Sequence, residues 1–173
     1  GDDSHGQSSP PGDSFIQSSA GYYHTCAVLP SREVRCWGRN YSGQANPPAG
    51  EFVEVAAGVE FTCGLETSGT IVCWGDDSWG QLSVPDGTYL QVTAAYYSAC
   101  GLLQDGRVQC WGQEGYGQEL VPDETFMSVS AGAWHVCGLT PSGYAACWGR
   151  DNDGEATPPP LPFVAVDSGR HHT

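Results

Sequence analysis

The chain has 173 residues, a formal charge of −14 and a pI near 4.3. Its six basic residues are all arginine and lysine is absent, which argues against the basic patches that bind nucleic acid or anionic lipid. No apolar run approaches membrane-spanning length, and 173 residues suffice for one domain with a core of its own.

An internal repeat organises everything else. Cysteines stand at 26, 36, 63, 73, 100, 110, 137 and 147, so that pairs separated by 10 recur every 37 residues. The repeats align without a gap as 1–37, 38–74, 75–111 and 112–148, followed by a partial fifth at 149–173. We read 1–173 as a single repeat domain of about 4.7 units. Gly1 is in phase with Gly38, Gly75, Gly112 and Gly149, and the series places the next cysteine just past Thr173. Both ends fall inside a repeat, so the expectation is a piece of a longer repetitive chain.

Each repeat opens on a polar loop. Gly-Gln recurs at 6–7, 43–44, 80–81 and 117–118, with Glu155 replacing the glutamine in the fifth unit. A recurring amide in a loop is best explained by satisfaction of backbone groups. The stretches "GDDS" at 1–4 and 75–78 and "RDND" at 150–153 carry oxygen ligands that suit calcium. Calcium-hand spacing is absent, however, and Asp/Asn/Ser clusters commonly make turns, so no metal is assigned. Asn40-Tyr41-Ser42 is a sequon that makes Asn40 a glycosylation candidate in a secreted protein. Pro11, Pro48, Pro85, Pro122 and Pro159 then interrupt pairing between repeats.

Three short runs of period two follow, with no helix signal. In "EFVEVAAG", Val53, Val55 and Ala57 face one way, as do Leu90, Val92 and Ala94, and Met127, Val129 and Ala131. Phe15, Phe52, Tyr89, Phe126 and Phe163 mark the opposite face. The second and third runs form a hairpin. In "FTCGLETSGTIVCW", opposing Cys63 to Cys73 sets Leu65 against Ile71 and leaves Thr67, Ser68 and Gly69 as a three-residue loop. Such a loop ends in a residue with positive φ, the place of Gly69, Gly106 and Gly143. Arg32 holds that place in the first repeat, where a different turn is expected.

This register predicts the disulfides Cys26–Cys36, Cys63–Cys73, Cys100–Cys110 and Cys137–Cys147. The competing connectivity joins consecutive repeats, as Cys36 to Cys63 would. Zinc fits poorly, because it favours close Cys or Cys/His clusters and no histidine recurs in every repeat. Paired cysteines point to an oxidising compartment. The tryptophan after each second cysteine (Trp37, Trp74, Trp111 and Trp148) reads as packing. His24, His135 and His172 share one position with Phe61 and Ser98, and a structural hydrogen bond is the simpler role. No Ser/His/Asp grouping, phosphate loop or carboxylate pair stands out, so the chain is read as non-catalytic and without a cofactor.

At "AGYYHTCAV", "AGVEFTCGL" and "AGAWHVCGL", each followed by "CWG" and "GQ", the chain resembles the regulator-of-chromosome-condensation type repeat. That family builds β-propellers of radial four-stranded blades. The chain is also similar to the propeller-type β-lactamase inhibitory proteins and to crinkly-type receptor ectodomains, whose repeats also carry paired cysteines. The resemblance implies an all-β propeller. This chain is too short to close the family's usual ring, so a partial propeller or open array is expected. The inhibitory relatives present an aromatic face to their target. The matching loops here imply binding residues Tyr22, Tyr23, Trp79, Tyr96, Tyr97, Tyr116 and Trp134, with Tyr41 and His171 in the same loops. Packing between blades is the alternative role for these rings.

The leading expectation is an extracellular or cell-surface scaffold for protein binding or self-assembly, including a structural part of a surface layer or filament. A carbohydrate-binding lectin, with a glycan partner stacked on the rings, is one alternative. An inhibitor of an extracellular enzyme is another.

Overall fold

The computed structural model describes residues 2–173, and only Gly1 of the "GDDS" cluster lies outside them. The described residues contain twelve strands and no helix. They are β1 (Gln17–Ala20), β2 (His24–Val28), β3 (Val34–Gly38), β4 (Phe52–Ala57), β5 (Phe61–Glu66) and β6 (Ile71–Gly75), then β7 (Tyr89–Ala94), β8 (Ser98–Leu103), β9 (Val108–Gly112), β10 (Ser128–Ala131), β11 (His135–Leu139) and β12 (Ala145–Gly149). They form four antiparallel sheets, β1-β2-β3, β4-β5-β6, β7-β8-β9 and β10-β11-β12. Each is one propeller blade, and neighbouring blades touch along their inner strands β1, β4, β7 and β10. The blades have three strands, where the resemblance led us to expect four. Pro11, Pro48, Pro85, Pro122 and Pro159 lie outside every ladder, since proline offers no N–H to one, and the last connection makes a single bridge, Tyr144 to Pro162.

The hairpin register is the expected one. Cys63 opposes Cys73 and Leu65 opposes Ile71, and the same pattern holds in the other three blades. All four disulfides lie within repeats, each across a Cα separation of 4.0 Å. That distance matches the close, non-hydrogen-bonded type of cross-strand pair.

Two expectations are corrected. The first blade does not turn differently. Arg32 takes φ 71°, beside 85° at Gly69 and 84° at both Gly106 and Gly143. Its N–H closes the same turn onto Leu29 O at 2.9 Å. The reason lies in the next blade. The carbonyls of Arg32, Gly69, Gly106 and Gly143 accept the N–H of Phe52, Tyr89, Phe126 and Phe163 at 2.7–2.8 Å. This bond between blades holds Arg32 in a conformation that costs a non-glycine residue about 1–2 kcal/mol. Arg32→Gly is expected to raise the unfolding free energy by about 1 kcal/mol, read from denaturant melts.

The second correction concerns the inner strands. Phe52 pairs with Glu66 and Glu54 with Leu65, so Val53 is the extra residue of a β-bulge; the same shift falls between Tyr89 and Gln91. The alternation slips by one there. Phe52 and Val55 therefore share one core cluster, while Leu90 and Met127 point to solvent and Val92 and Val129 are buried.

The core lies between blades. Phe52, Val55 and Trp74 pack on Cys26 and Val28, and Phe126, Val129 and Trp148 pack on Cys100, Leu102 and Val108. Each tryptophan ring also rests near its own blade's aromatic, with centroids 5.5–6.3 Å apart. Its Nε1–H donates to the carbonyl of Gln7, Gln44, Gln81 or Gln118 at 2.9–3.0 Å. The glutamine side chain works within its own loop, as expected: Oε1 of Gln7, Gln44 and Gln81 accepts the N–H two residues earlier.

Side chains also replace a backbone ladder between inner strands. Gln17 donates to Val55 O and accepts from Val55 N at 2.9 and 3.0 Å, and Gln91 does the same with Val129. Glu54 holds the equivalent place but only accepts, from Val92 N at 2.9 Å. Burial pushes its carboxyl above the usual range. The protonated form can supply the missing donor to Val92 O. Because the folded pKa is raised, this stabilisation is complete below the unfolded carboxyl's pKa and fades as pH rises through the folded one. Glu54→Gln should remove that dependence and add about 1 kcal/mol at neutral pH. Denaturant melts of both proteins between acid and neutral pH check this, the gain growing with pH.

Candidate functional site

Every inner strand ends on two small residues: Ala20-Gly21, Ala57-Gly58, Ala94-Ala95 and Ala131-Gly132. These line a mouth of about 220 Å3 on the propeller axis. A Cβ on Gly58 would lie 2.2 Å from the Phe61 ring and 2.9 Å from Ala95 O, so the turn accepts only glycine there. Turn-to-turn bonds fix the rim: Tyr22 N to Gly58 O, Val59 N to Tyr96 O and Tyr96 N to Ala133 O, at 3.1–3.3 Å.

The variable residues follow these turns, and their rings meet. Tyr23 lies 4.5 Å from Tyr22, Tyr22 5.6 Å from Tyr96, Tyr96 5.2 Å from Trp134 and Trp134 4.5 Å from Tyr116, centroid to centroid. Tyr97 joins beside Tyr96 and Trp134. Arg39 spans from Tyr23 to Tyr41, 4.8 and 4.7 Å from their centroids, and is held by Glu60 at 3.0 Å. Arg170 covers Tyr96 at 5.6 Å. Seven of the nine expected binding residues thus form one continuous face. The rings pack on one another above the blades, half-buried or exposed, and not between the sheets.

Two residues stand apart. Trp79 has no aromatic partner among the described residues and is 53% exposed. His171 is exposed beside Asp153 and Glu155, with one ligand atom from each within 4.8 Å of the others. Glu155 is already engaged: it accepts Asp153 N at 2.7 Å and faces Arg150 Nε at 3.4 Å. The "GDDS" and "RDND" carboxylates act as turn closers. Asp3, Asp77 and Asp151 each accept the N–H five residues on, at 2.7–2.8 Å. Asn40 does the same to Ala45 N at 2.9 Å while its Nδ2 donates to Asn46, and its side chain lies at the surface.

The histidines link blades. His24 Nε2 lies 2.8 Å from Thr62 Oγ1, Thr62 donates to Gln44 O at 3.0 Å, and Trp74 reaches the same carbonyl. Burial pushes His24 down to about 4, so the ring is neutral at physiological pH. His135 meets Thr173 at 2.8 Å in the same way. Where Phe61 replaces the histidine, Ala99 replaces the threonine, and both lie in one apolar cluster. The sequence pointed to a structural bond but did not supply its partner. The signal was a threonine 38 residues later, one position out of step with the repeat.

These features define a repeat propeller whose rigid blades carry a variable face. The family model described as the regulator of chromosome condensation (RCC1) repeat matches residues 15–44, 52–81, 90–118 and 128–155. The chain belongs to this family. It is 35% identical to the ectodomain of the receptor kinase CR4 from Physcomitrella patens, over 88% of this chain and 44% of that one, with a TM-score of 0.75. It is 29% identical to the CRINKLY WD40 ectodomain of the receptor kinase ACR4 from Arabidopsis thaliana, over 95% and 59%, with a TM-score of 0.76. Prp20p from Saccharomyces cerevisiae, at 17% identity over 94% and 55% with a TM-score of 0.74, shares the fold. The chain spans about half the length of these structures. Comparison with curated proteins finds no match.

Proposed function

We propose that this chain is a non-catalytic, extracellular protein-binding scaffold that recognises its partner through the face running from Tyr41 to Tyr116. The observation that carries the reading is the unbroken run of rings across the blades. Large aromatic side chains are the commonest interface anchors, because they bury much area at low entropic cost. Trp79, exposed and resting on no other ring, is the natural second anchor. Four disulfides and the similarity to two receptor-kinase ectodomains support the extracellular setting. Asn40 is the proposed glycosylation site.

The test is capture of extracellular proteins by the immobilised chain, compared with Trp79→Ala and Trp134→Ala. Each substitution should weaken retention of the same partner by at least about tenfold, a hot-spot loss. Equal retention by both variants removes the face from recognition. A glycan array and sedimentation of the purified chain address the lectin and self-assembly readings. Specific glycan signal lost in Trp134→Ala would replace the protein partner with a sugar. Filaments abolished by the same variant would replace it with a second copy.

A further inference from the structure

The end of the propeller opposite the aromatic mouth carries a second periodic feature. Ile16, Val53, Leu90, Met127 and Val164 are spaced by 37 and are apolar in all five repeats. Val53 and Leu90 are the extra residues of the bulges in β4 and β7, while Ile16 and Met127 immediately precede β1 and β10. Ile16, Leu90 and Met127 are 51%, 58% and 56% exposed, and Val164 is fully exposed; Val53 is half-buried against the core. Without the bulges the alternation would aim Val53 and Leu90 inward, beside Val55 and Val92. In β7 the irregularity re-aims Leu90 into water, and Ile16, Met127 and Val164 hold the same exposed place in their repeats, the kind of placement that marks an interaction surface.

Three of these residues, Val53, Leu90 and Met127, line a hollow of about 450 Å3, with Leu65 and Leu102 among its walls and Glu54 and Gln91 among its polar members. The hairpin turns close at this same end, because each inner-strand start pairs with a hairpin-strand end, as Phe52 does with Glu66. The loops of this end form an acidic rim: Glu33, Glu51, Asp123 and Glu124 are exposed in them, with Glu66 beside them, and Asp123 and Glu124 share a neighbouring hollow with Arg107. The nearby arginines are Arg32, Arg35 and Arg107, of which Arg35 pairs with Asp13 and Arg107 with Asp105. The exposed aliphatic side chains and the acidic rim together specify the occupant. A second copy of this acidic chain would set like charges against each other, whereas a cationic apolar segment satisfies both.

We infer that this hollow docks a protein segment whose aliphatic side chains sit among Val53, Leu90 and Met127 while its lysines or arginines reach the acidic rim. This surface is separate from the aromatic face and does not depend on that face's role. The probe is a fluorescent peptide of alternating leucine and lysine, with serine–lysine and leucine–glutamate peptides as controls. Fluorescence anisotropy should show saturable binding of the leucine–lysine peptide alone, weakening with added salt. The double substitution Leu90→Ser/Met127→Ser should weaken it by at least about tenfold, since two apolar contacts are lost. Both side chains are exposed, so an unchanged melting midpoint will show the variant folded. Glu51→Lys/Asp123→Lys should weaken it as well, without touching the hollow, and Trp134→Ala should leave it intact. Full binding by the leucine–serine exchange variant, equal binding of the serine–lysine peptide, or no binding of any peptide would overturn the inference. So would a dimer of the parent chain that the Leu90→Ser/Met127→Ser change dissolves, which would give the hollow to a second copy.

Discussion

Replacing Cys63 and Cys73 together by alanine is expected to lower the unfolding free energy by about 2.5–3 kcal/mol, the chain-entropy value for a loop this short. The two residues are 10 apart in sequence and directly opposed in β5 and β6, so the link closes a hairpin that is already formed. Its effect is therefore mainly on the unfolded chain. For a domain of this size the loss corresponds to a fall of about 6–11 °C in midpoint. Reduction of all four links should have a larger effect, because the blades share their cores and each stabilises the next. Thermal melts with and without a reductant check both statements. A midpoint indifferent to reduction would show that the links contribute no stability.

Trp111→Ala should cost more, about 3–5 kcal/mol, because a large buried ring leaves a cavity that rigid neighbours cannot fill. The ring is 8% exposed, belongs to the cluster joining the second and third blades, and lies 6.3 Å from Tyr89. Its Nε1–H holds Gln81 O at 2.9 Å. Trp111→Phe separates the two contributions. Most of the apolar contact remains, while the Gln81 carbonyl loses its donor, for a cost of about 1–3 kcal/mol. Urea unfolding of the three proteins should rank them wild type, Phe, Ala. An alanine variant no weaker than the phenylalanine one would mean that the ring is not part of the shared core.

What the sequence disclosed follows from its period. A spacing of 10 between cysteines, a three-residue loop and strict alternation leave one sensible register, and the structure has it. The aromatic face was also legible, since variable residues at one point of a regular repeat must share one end of the blades. The misses are of a different kind. The bulge at Val53 was invisible because the extra residue is itself apolar, and alternation cannot reveal an insertion that keeps the pattern's composition. Arg32 was misjudged from local preference alone. The bond from its carbonyl to Phe52 N reaches into the next blade and overrides that preference. The His24–Thr62 and His135–Thr173 pairs escaped because neighbouring blades meet one residue out of step with the repeat. Trp79 had the same sequence credentials as Tyr116. Only packing tells them apart, since Tyr116 rests on Trp134 and Trp79 rests on no ring.

The most direct test of disulfide-linked propeller blades displaying their face outside the cell is disulfide mapping of the native protein. Thiols are blocked at isolation, and peptides from an unreduced digest are identified by mass spectrometry. The expected result is four links, Cys26–Cys36, Cys63–Cys73, Cys100–Cys110 and Cys137–Cys147, with no blocked thiol among these eight residues. Links between repeats, such as Cys36–Cys63, would contradict the blade register. Eight blocked thiols would contradict the extracellular setting on which the proposed function rests.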